Sequence, residues 1–314
     1  MTETTLRVAF AGPHVSIQDA GRPSLMRYGV PASGPMDRQS FALANAALGN
    51  PAGHPGIEIS LGGLSLRCES GAITLALAGG GFIAETPAHK LGAWTVLTLR
   101  AGETLTIRPG PWGCWTYLAI AGGLQAESWL GSRATHGSSG FGGGKLTAGQ
   151  VLTIEDAQMR ADLEGQIPCP IWARPRHVLR CTLGPQDRFF NAETLAAFTT
   201  ARFEMTDAFD RMGLRLRGPA LIPTAALSIP SEPILRGSVQ VAGDGTATVL
   251  LSDHQTTGGY PKIATVLADD LDAFVQCRQR DAVMFQTITP AEAIAITRQN
   301  ASRFAAFEAR LRQR

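Results

Sequence analysis

The stretch SDHQTTGGYPKIA, residues 252–264, gathers groups able to do chemistry. Asp253 and His254 offer proton transfer, and Gln255, Thr256 and Thr257 offer neutral hydrogen bonds. Gly258 and Gly259 let a backbone come close to a ligand, Tyr260 and Pro261 close the loop, and Lys262 can reach a carboxylate or phosphate. A turn alone needs only the glycines and the proline. Of the 28 basic residues only Lys90, Lys145 and Lys262 are lysines, which sets Lys262 apart. One lone histidine is more often structural than catalytic, so His254 is a weaker candidate than its neighbours.

Two more segments carry chemistry. DAGRPSLMRYGVPASGPMDRQS, residues 19–40, combines Arg22, Ser33, Gly34, Asp37 and Arg38 in a long irregular loop, which in a small domain usually has a task. Residues 33–37 run straight into a helical pattern, so backbone N–H groups there can face an anion. The plain alternative is that Asp37 caps that helix and Arg22 pairs with Asp19. The Gly- and Ser-rich residues 119–144 hold Ser132, Arg133 and His136; they suit a backbone-lined binding loop, or simply a flexible surface loop. GFGGGK within them is not a P-loop, because Ser139 stands at the first glycine position and Leu146 follows the lysine.

Composition excludes several classes. A net charge of +2 with 17% charged residues gives no electrostatic footprint for nucleic acid. The five cysteines are widely spaced without a C-x-x-C pair, so neither a zinc site nor a disulfide framework is expected, and no metal site is assigned. The first residues lack a signal-peptide pattern and no apolar run is long enough for a membrane span, which points to a cytoplasmic protein. There is no G-x-S-x-G, no H-E-x-x-H, no Rossmann glycine pattern and no biotin-attachment lysine.

The elements that must position these loops are mostly strands. GAITLALAG, WTVLTLRAGETLTIRPG, CWTYLAIAGG and TATVLLSD are short apolar runs bounded by Gly, Pro or Asp. Helices are expected at residues 40–48, at 193–198 and at Pro290–Arg312, the last opened by Thr289 as N-cap. EISLGGLSLRCESGAIT and EPILRGSVQVAGDGTAT share Glu, Leu, Gly, Gly and Thr at one spacing, with Glu58 and Glu232 174 residues apart. RVAFAGP matches RCTLGP upstream in the same order. This predicts a duplicated β domain, 1–165 and 166–314, divided in the Pro-rich stretch 161–176. The aligned position after one strand is Gly-rich in the first copy and is the polar loop 252–264 in the second, at a barrel rim where ligands are met.

QDAGRPSLMRYGVPASGPMDRQSFALANAALGN, YLAIAGGLQAESWLGSRAT, GPQDRFF, DRMGLRL, SEPILRGSVQV and DHQTTGGYPKIA together resemble the PxpC family, the C subunits of 5-oxoprolinase. The family is also called KipA, allophanate hydrolase subunit 2 or the biotin-dependent carboxyltransferase family. The resemblance runs from about residue 6 to residue 288. It implies a mainly-β chain of two tandem cyclophilin-like β-barrels with a few short helices and a C-terminal helix. It implies two partner proteins, one KipI-like (PxpB) and one LamB/YcsF-like (PxpA). The set converts 5-oxoproline, ATP and water to glutamate, ADP and phosphate, with ATP used by the complex rather than held by this chain alone. The resemblance leaves two other readings open. One is a carboxyltransferase component of a urea carboxylase-type system whose biotin is carried elsewhere; the other is a non-enzymatic antagonist of a KipI-like kinase inhibitor. No biotin carboxylase or carrier region is recognisable here, which favours the oxoprolinase reading.

Read with this family, Gln255, Thr256, Lys262 and Asp37 are the candidate catalytic residues. Arg22, Ser33, Gly34, Arg38, Thr257, Gly258, Gly259, Tyr260, Ser132 and Arg133 are the candidate substrate-binding ones. The family lets the position of His254 vary. Opening a five-membered lactam calls for ATP to form an acyl-phosphate-like or phosphorylated-imidate intermediate, beside cations for the anions and neutral donors for the amide. Arg22, Arg38 and Lys262 suit the first role; Gln255, Thr256 and Ser33 suit the second.

Overall fold

Period-2 burial shapes several strands of the first half. In Leu64–Ser70 the side chains of Leu64, Leu66 and Cys68 face inward while Ser65 and Arg67 turn away. Ala72–Gly79 is instead an unbroken apolar run and is buried along nearly its whole length, because the helix α1 (Arg38–Ala47) covers its second face. Asp37 caps α1, and the helix lays Phe41 edge-on against Tyr117 with ring centroids 5.7 Å apart. The computed structural model describes residues 3–224 and 228–314.

The chain forms two compact units. The first takes the chain up to Arg22, Ser33–Arg174 and Phe304–Arg314; the second takes Pro23–Ala32 and Pro175–Arg303. A division at 165/166 treats each half as continuous, whereas the changeover lies between Arg174 and Pro175 and two short segments join the other half's unit. Local composition carries no sign of such excursions. Phe307 near the C-terminus, for example, meets Trp172 edge-on at 5.3 Å.

In the first unit the strands make two sheets. One runs, in pairing order, Gly123–Leu124, Val151–Glu155, Thr4–Ala11, Leu64–Ser70, Thr104–Arg108, Ile83–Glu85 and Lys90–Gly92. The other runs Gly165–Gln166, Thr95–Arg100, Ala72–Gly79, Trp115–Ile120, Gly56–Ser60 and Ser16–Gln18. In the second unit seven strands close a barrel in the order Val178–Leu183, Lys262–Val266, Ser238–Val241, Ala247–Leu250, Gly213–Arg217, Phe203–Phe209 and Ala282–Thr287. Closure comes from the parallel pair of Val178–Leu183 with Ala282–Thr287; the other pairs are antiparallel. Phe198 of α2 (Ala192–Thr200) stacks on Phe285 at 4.4 Å and plugs one side of this core. The mainly-β class with few short helices and a C-terminal one stands as expected.

The glycines of the repeated pattern do matching work. Gly63 and Gly237 have φ of 77° and 94°, and Gly71 and Gly245 have 73° and 82°, so each copy turns at the same two places. The strands between differ: Leu64–Ser70 and Ala72–Gly79 lie in separate sheets, while Ser238–Val241 and Ala247–Leu250 pair with each other.

Helix α3 (Ala268–Phe274) has no counterpart among the helices expected from the sequence. It has seven residues and no side-chain cap, and what fixes it is tertiary. Its buried Asp270 takes Arg176 at 2.7 Å and Arg180 at 2.5 Å. Helix α4 (Pro290–Arg312) opens on a capping box: Glu292 accepts from the backbone N–H of Thr289 at 2.8 Å, and Thr289 Oγ1 accepts from that of Glu292 at 3.2 Å.

Candidate functional site

Lys262 starts the strand Lys262–Val266 and is only 2% exposed. Its Nζ stands 3.5 Å from Oε2 of Glu232, within ion-pair reach, yet makes no hydrogen bond. Gln186 ties the two together. Its Oε1 accepts from the backbone N–H of Lys262 at 3.0 Å, and its Nε2 donates to Glu232 Oε2 at 2.6 Å. The backbone N–H of Gln186 in turn donates to the Lys262 carbonyl at 3.1 Å. The result is an ammonium held in a dry place beside a carboxylate whose side chain is 45% exposed. Burying a cation without full hydrogen bonding costs free energy, so such a group is usually kept for an anion or a strongly polarised oxygen.

The polar loop before Lys262 now separates into parts. Asp253 binds Arg211 in a two-pronged pair at 2.9 and 3.0 Å, with both side chains buried, so it serves the scaffold. His254 is buried too and its Nδ1 lies 2.6 Å from the Gln255 carbonyl. Thr256 and Gly259 give their carbonyls to Ile234 and Ile229, and Thr257 and Gly258 pair with Pro233 and Glu232. The loop is thereby laid along the segment that carries Glu232. Gly258 is needed for close approach: a Cβ there would come within 2.4 Å of Gln240 Nε2. Gln255 and Tyr260, both exposed, line a cavity of about 750 Å³ whose other walls include Gln240, Arg215, Asp207 and Asp244.

In the first unit, the loop into α1 is held by the protein's own acceptors. Glu58 Oε2 accepts from the backbone N–H of Met36 at 2.7 Å, and the Tyr117 hydroxyl accepts from that of Asp37 at 2.7 Å. The anion met by this helix entrance is thus Glu58, which is fully buried. Burial first, and then the Glu58 and Asp37 carboxylates, hold the Tyr117 phenol well above its ordinary pKa, so it is a neutral hydroxyl. Both carboxylate oxygens of Asp37 serve Ser40, at 2.9 Å from its backbone N–H and 2.6 Å from its hydroxyl. Ser33 sits beside Gly34 with both at positive φ, and its buried Oγ makes no hydrogen bond. Arg38 is exposed on the first turn of α1.

Arg22, Ser132 and Arg133 do come together. Arg22 is buried, donates to the Ala134 carbonyl and lies over the Trp129 ring at 4.8 Å. Asp19 accepts from Gly21 N–H at 2.8 Å, Ser132 Oγ at 2.6 Å and Arg133 N–H at 2.5 Å. The Gly-rich loop that follows spends amides on itself: His136 donates to Phe141, Gly140 to His136 and Gly143 to Arg133.

Gln186, Glu232, Gln240, Glu58 and Tyr117 are site residues that sequence reasoning missed. The repeat did mark Glu58 and Glu232 as its shared acid, and GPQDRFF carried Gln186; spacing alone could not say what they touch. Among the described residues no group of three or more His, Cys, Asp or Glu side chains is placed to hold a metal ion, and no helix is long and apolar enough to cross a membrane.

Relatives extend this picture. The chain is 31% identical to the C subunit of 5-oxoprolinase from Escherichia coli, over 95% of this chain and 96% of that protein. It is 32% identical to the corresponding C subunit from Haemophilus influenzae, over 91% of this chain and 92% of that protein. The crystal structure of Kluyveromyces lactis urea carboxylase superposes with a TM-score of 0.84 at 25% identity, over 96% of this chain and 29% of the solved chain. Residues 28–287 match the family model for the carboxyltransferase domain, subdomain A and B, and to that family the chain belongs.

Proposed function

We propose that the chain is the PxpC component of an ATP-dependent 5-oxoprolinase, working in the cytoplasm with a KipI-like partner (PxpB) and a LamB/YcsF-like partner (PxpA). The observation that carries this reading is the match, over nearly the whole length of each, to two bacterial 5-oxoprolinase C subunits. None of the five cysteines forms a disulfide, as suits a reducing compartment.

The second unit has a geometry that fits the chemistry. 5-Oxoproline brings a carboxylate, a lactam carbonyl and a lactam N–H. The Lys262 ammonium suits an anionic or polarised oxygen, Glu232 suits the N–H or a proton, and Gln186 keeps the two side chains apart yet adjacent. ATP supplies the driving force to the complex. The Gly-rich loop of this chain turns three of its amides onto its own carbonyls. A second reading, transfer of a carboxyl group from a biotin carried by another protein, draws support from the urea carboxylase superposition.

The test is glutamate release from 5-oxoproline by the three co-purified proteins, with and without ATP. ATP-dependent release by the trio and none by this chain alone supports the proposal. No release by the trio, with carboxylation of urea by added carboxybiotin, favours the second reading.

A further inference from the structure

We propose that Gln240 and Lys262 form a clamp for the carboxylate of a small monocarboxylic acid in the second unit. The two residues are register partners across the antiparallel strands Ser238–Val241 and Lys262–Val266, at a β-bulge that shifts the pairing between Val239 and Gln240. Cross-strand partners lie within side-chain reach of one another. Both side chains are buried, at 5% and 2% exposure, and both end in a nitrogen donor that makes no hydrogen bond: Gln240 Nε2 and Lys262 Nζ. Folded proteins rarely leave one such buried donor without a hydrogen bond, and two neighbours in that state point to a ligand that supplies the acceptors. A carboxylate has two oxygens on one plane, and a neutral and a charged donor side by side match them.

Charge narrows the ligand. Glu232 lies 3.5 Å from the ammonium, so the pair is neutral and offers little to a dianion. Gln240 also lines the cavity of about 750 Å³, where Asp207, Asp210 and Asp244 face a single Arg215, a setting that repels polyphosphates. Gly258 lays its backbone against the Gln240 amide, where a Cβ would come within 2.4 Å of Nε2. The clamp rests on the oxoprolinase reading only for the choice of 5-oxoproline as its ligand.

Calorimetric titration of the purified chain, alone and in its complex, with 5-oxoproline and with 2-pyrrolidinone tests the clamp, since the second compound is the same lactam without the carboxylate. The clamp predicts at least tenfold tighter binding of 5-oxoproline, and loss of that preference in Lys262→Met and in Gln240→Leu. It also predicts that Lys262→Met melts no lower than the wild type, because the cost of burying the ammonium offsets its attraction to the half-exposed Glu232. Equal affinity for the two compounds, or a preference that survives both substitutions, overturns the clamp. So does a Lys262→Met chain that melts much lower while keeping the preference, which would make Lys262 a purely structural partner of Glu232. A complex that prefers the carboxylate yet releases no glutamate sinks the oxoprolinase reading and leaves the clamp standing.

Discussion

Lys262 and Glu232 form an asymmetric pair: the ammonium is sealed at 2% exposure while the carboxylate 3.5 Å away is 45% exposed. A surface pair would have both partners in water and contribute almost nothing. Here the cation relies on one acid that solvent partly screens. Removing the acid alone leaves a buried charge with no counterion, whereas removing both leaves only a packing change.

Glu232→Gln is therefore expected to lower unfolding free energy by roughly 1–2 kcal/mol, below the about 3–5 kcal/mol of a fully buried broken pair because Glu232 is half in water. The double variant Glu232→Gln with Lys262→Met should return to within about 1 kcal/mol of the wild type. Urea denaturation of the four proteins in the cycle measures this. Additive losses would show that the two groups do not depend on each other.

The Arg211–Asp253 pair makes the opposite case, since both partners are buried and the fork is two-pronged. Arg211→Met should cost about 3–5 kcal/mol by removing the two-pronged cation from the buried Asp253 carboxylate. Arg211→Lys should recover only part of it, because an ammonium cannot reproduce the planar fork. A melt of Arg211→Met indistinguishable from the wild type would rule out the scaffold role given to Asp253.

These two pairs also show what the sequence could and could not disclose. The polar loop was conspicuous because Asp253, His254, Gln255 and the two threonines exceed what a turn requires. Its parts were not separable, because Asp253 answers to Arg211, 42 residues away, and Lys262 to Glu232, which precedes it by the strands Ser238–Val241 and Ala247–Leu250 and the polar loop. Glycine was the reliable guide: Gly63, Gly71, Gly237 and Gly245 all have positive φ and mark the repeated turns whatever the strands between them do. Strand positions were legible from apolar runs and α1 and α4 from their caps. Helix α3 was not, since it has no side-chain cap and is held by tertiary contacts, among them the ion pairs of Asp270 and Asp272. The exchange of residues 23–32 and 304–314 between units depends on contacts far along the chain and leaves no local pattern.

Asp37 can be sorted by substitution. With both oxygens on Ser40, Asp37→Ala should lose about 1 kcal/mol of stability and Asp37→Ser should recover most of it. Glutamate release by the assembled complex should follow folded fraction only. A loss of turnover beyond tenfold in a well-folded Asp37→Ser complex would restore Asp37 as a catalytic group.

Cys181 sets an alkaline limit. Burial, with Asp270 adding to it, pushes its thiol from an ordinary value of 9.0 up to about 12. Between those values the unfolded chain gives up the proton and the folded chain keeps it, so the stability this thiol contributes is intact below pH 9 and falls as pH rises toward 12. The slope is on the order of 1 kcal/mol per pH unit. Urea midpoints measured across that window should fall less steeply in Cys181→Ala than in the wild type. Parallel profiles would mean that other groups control alkaline unfolding.

The decisive assay is ATP-dependent glutamate release from 5-oxoproline by the three-protein complex, built once with the wild-type chain and once with Lys262→Met. Turnover should require this chain, and should fall at least tenfold in the Lys262→Met complex while assembly and melting are kept. No glutamate from the wild-type complex would refute the oxoprolinase assignment, and equal turnover from the two would refute the role of Lys262.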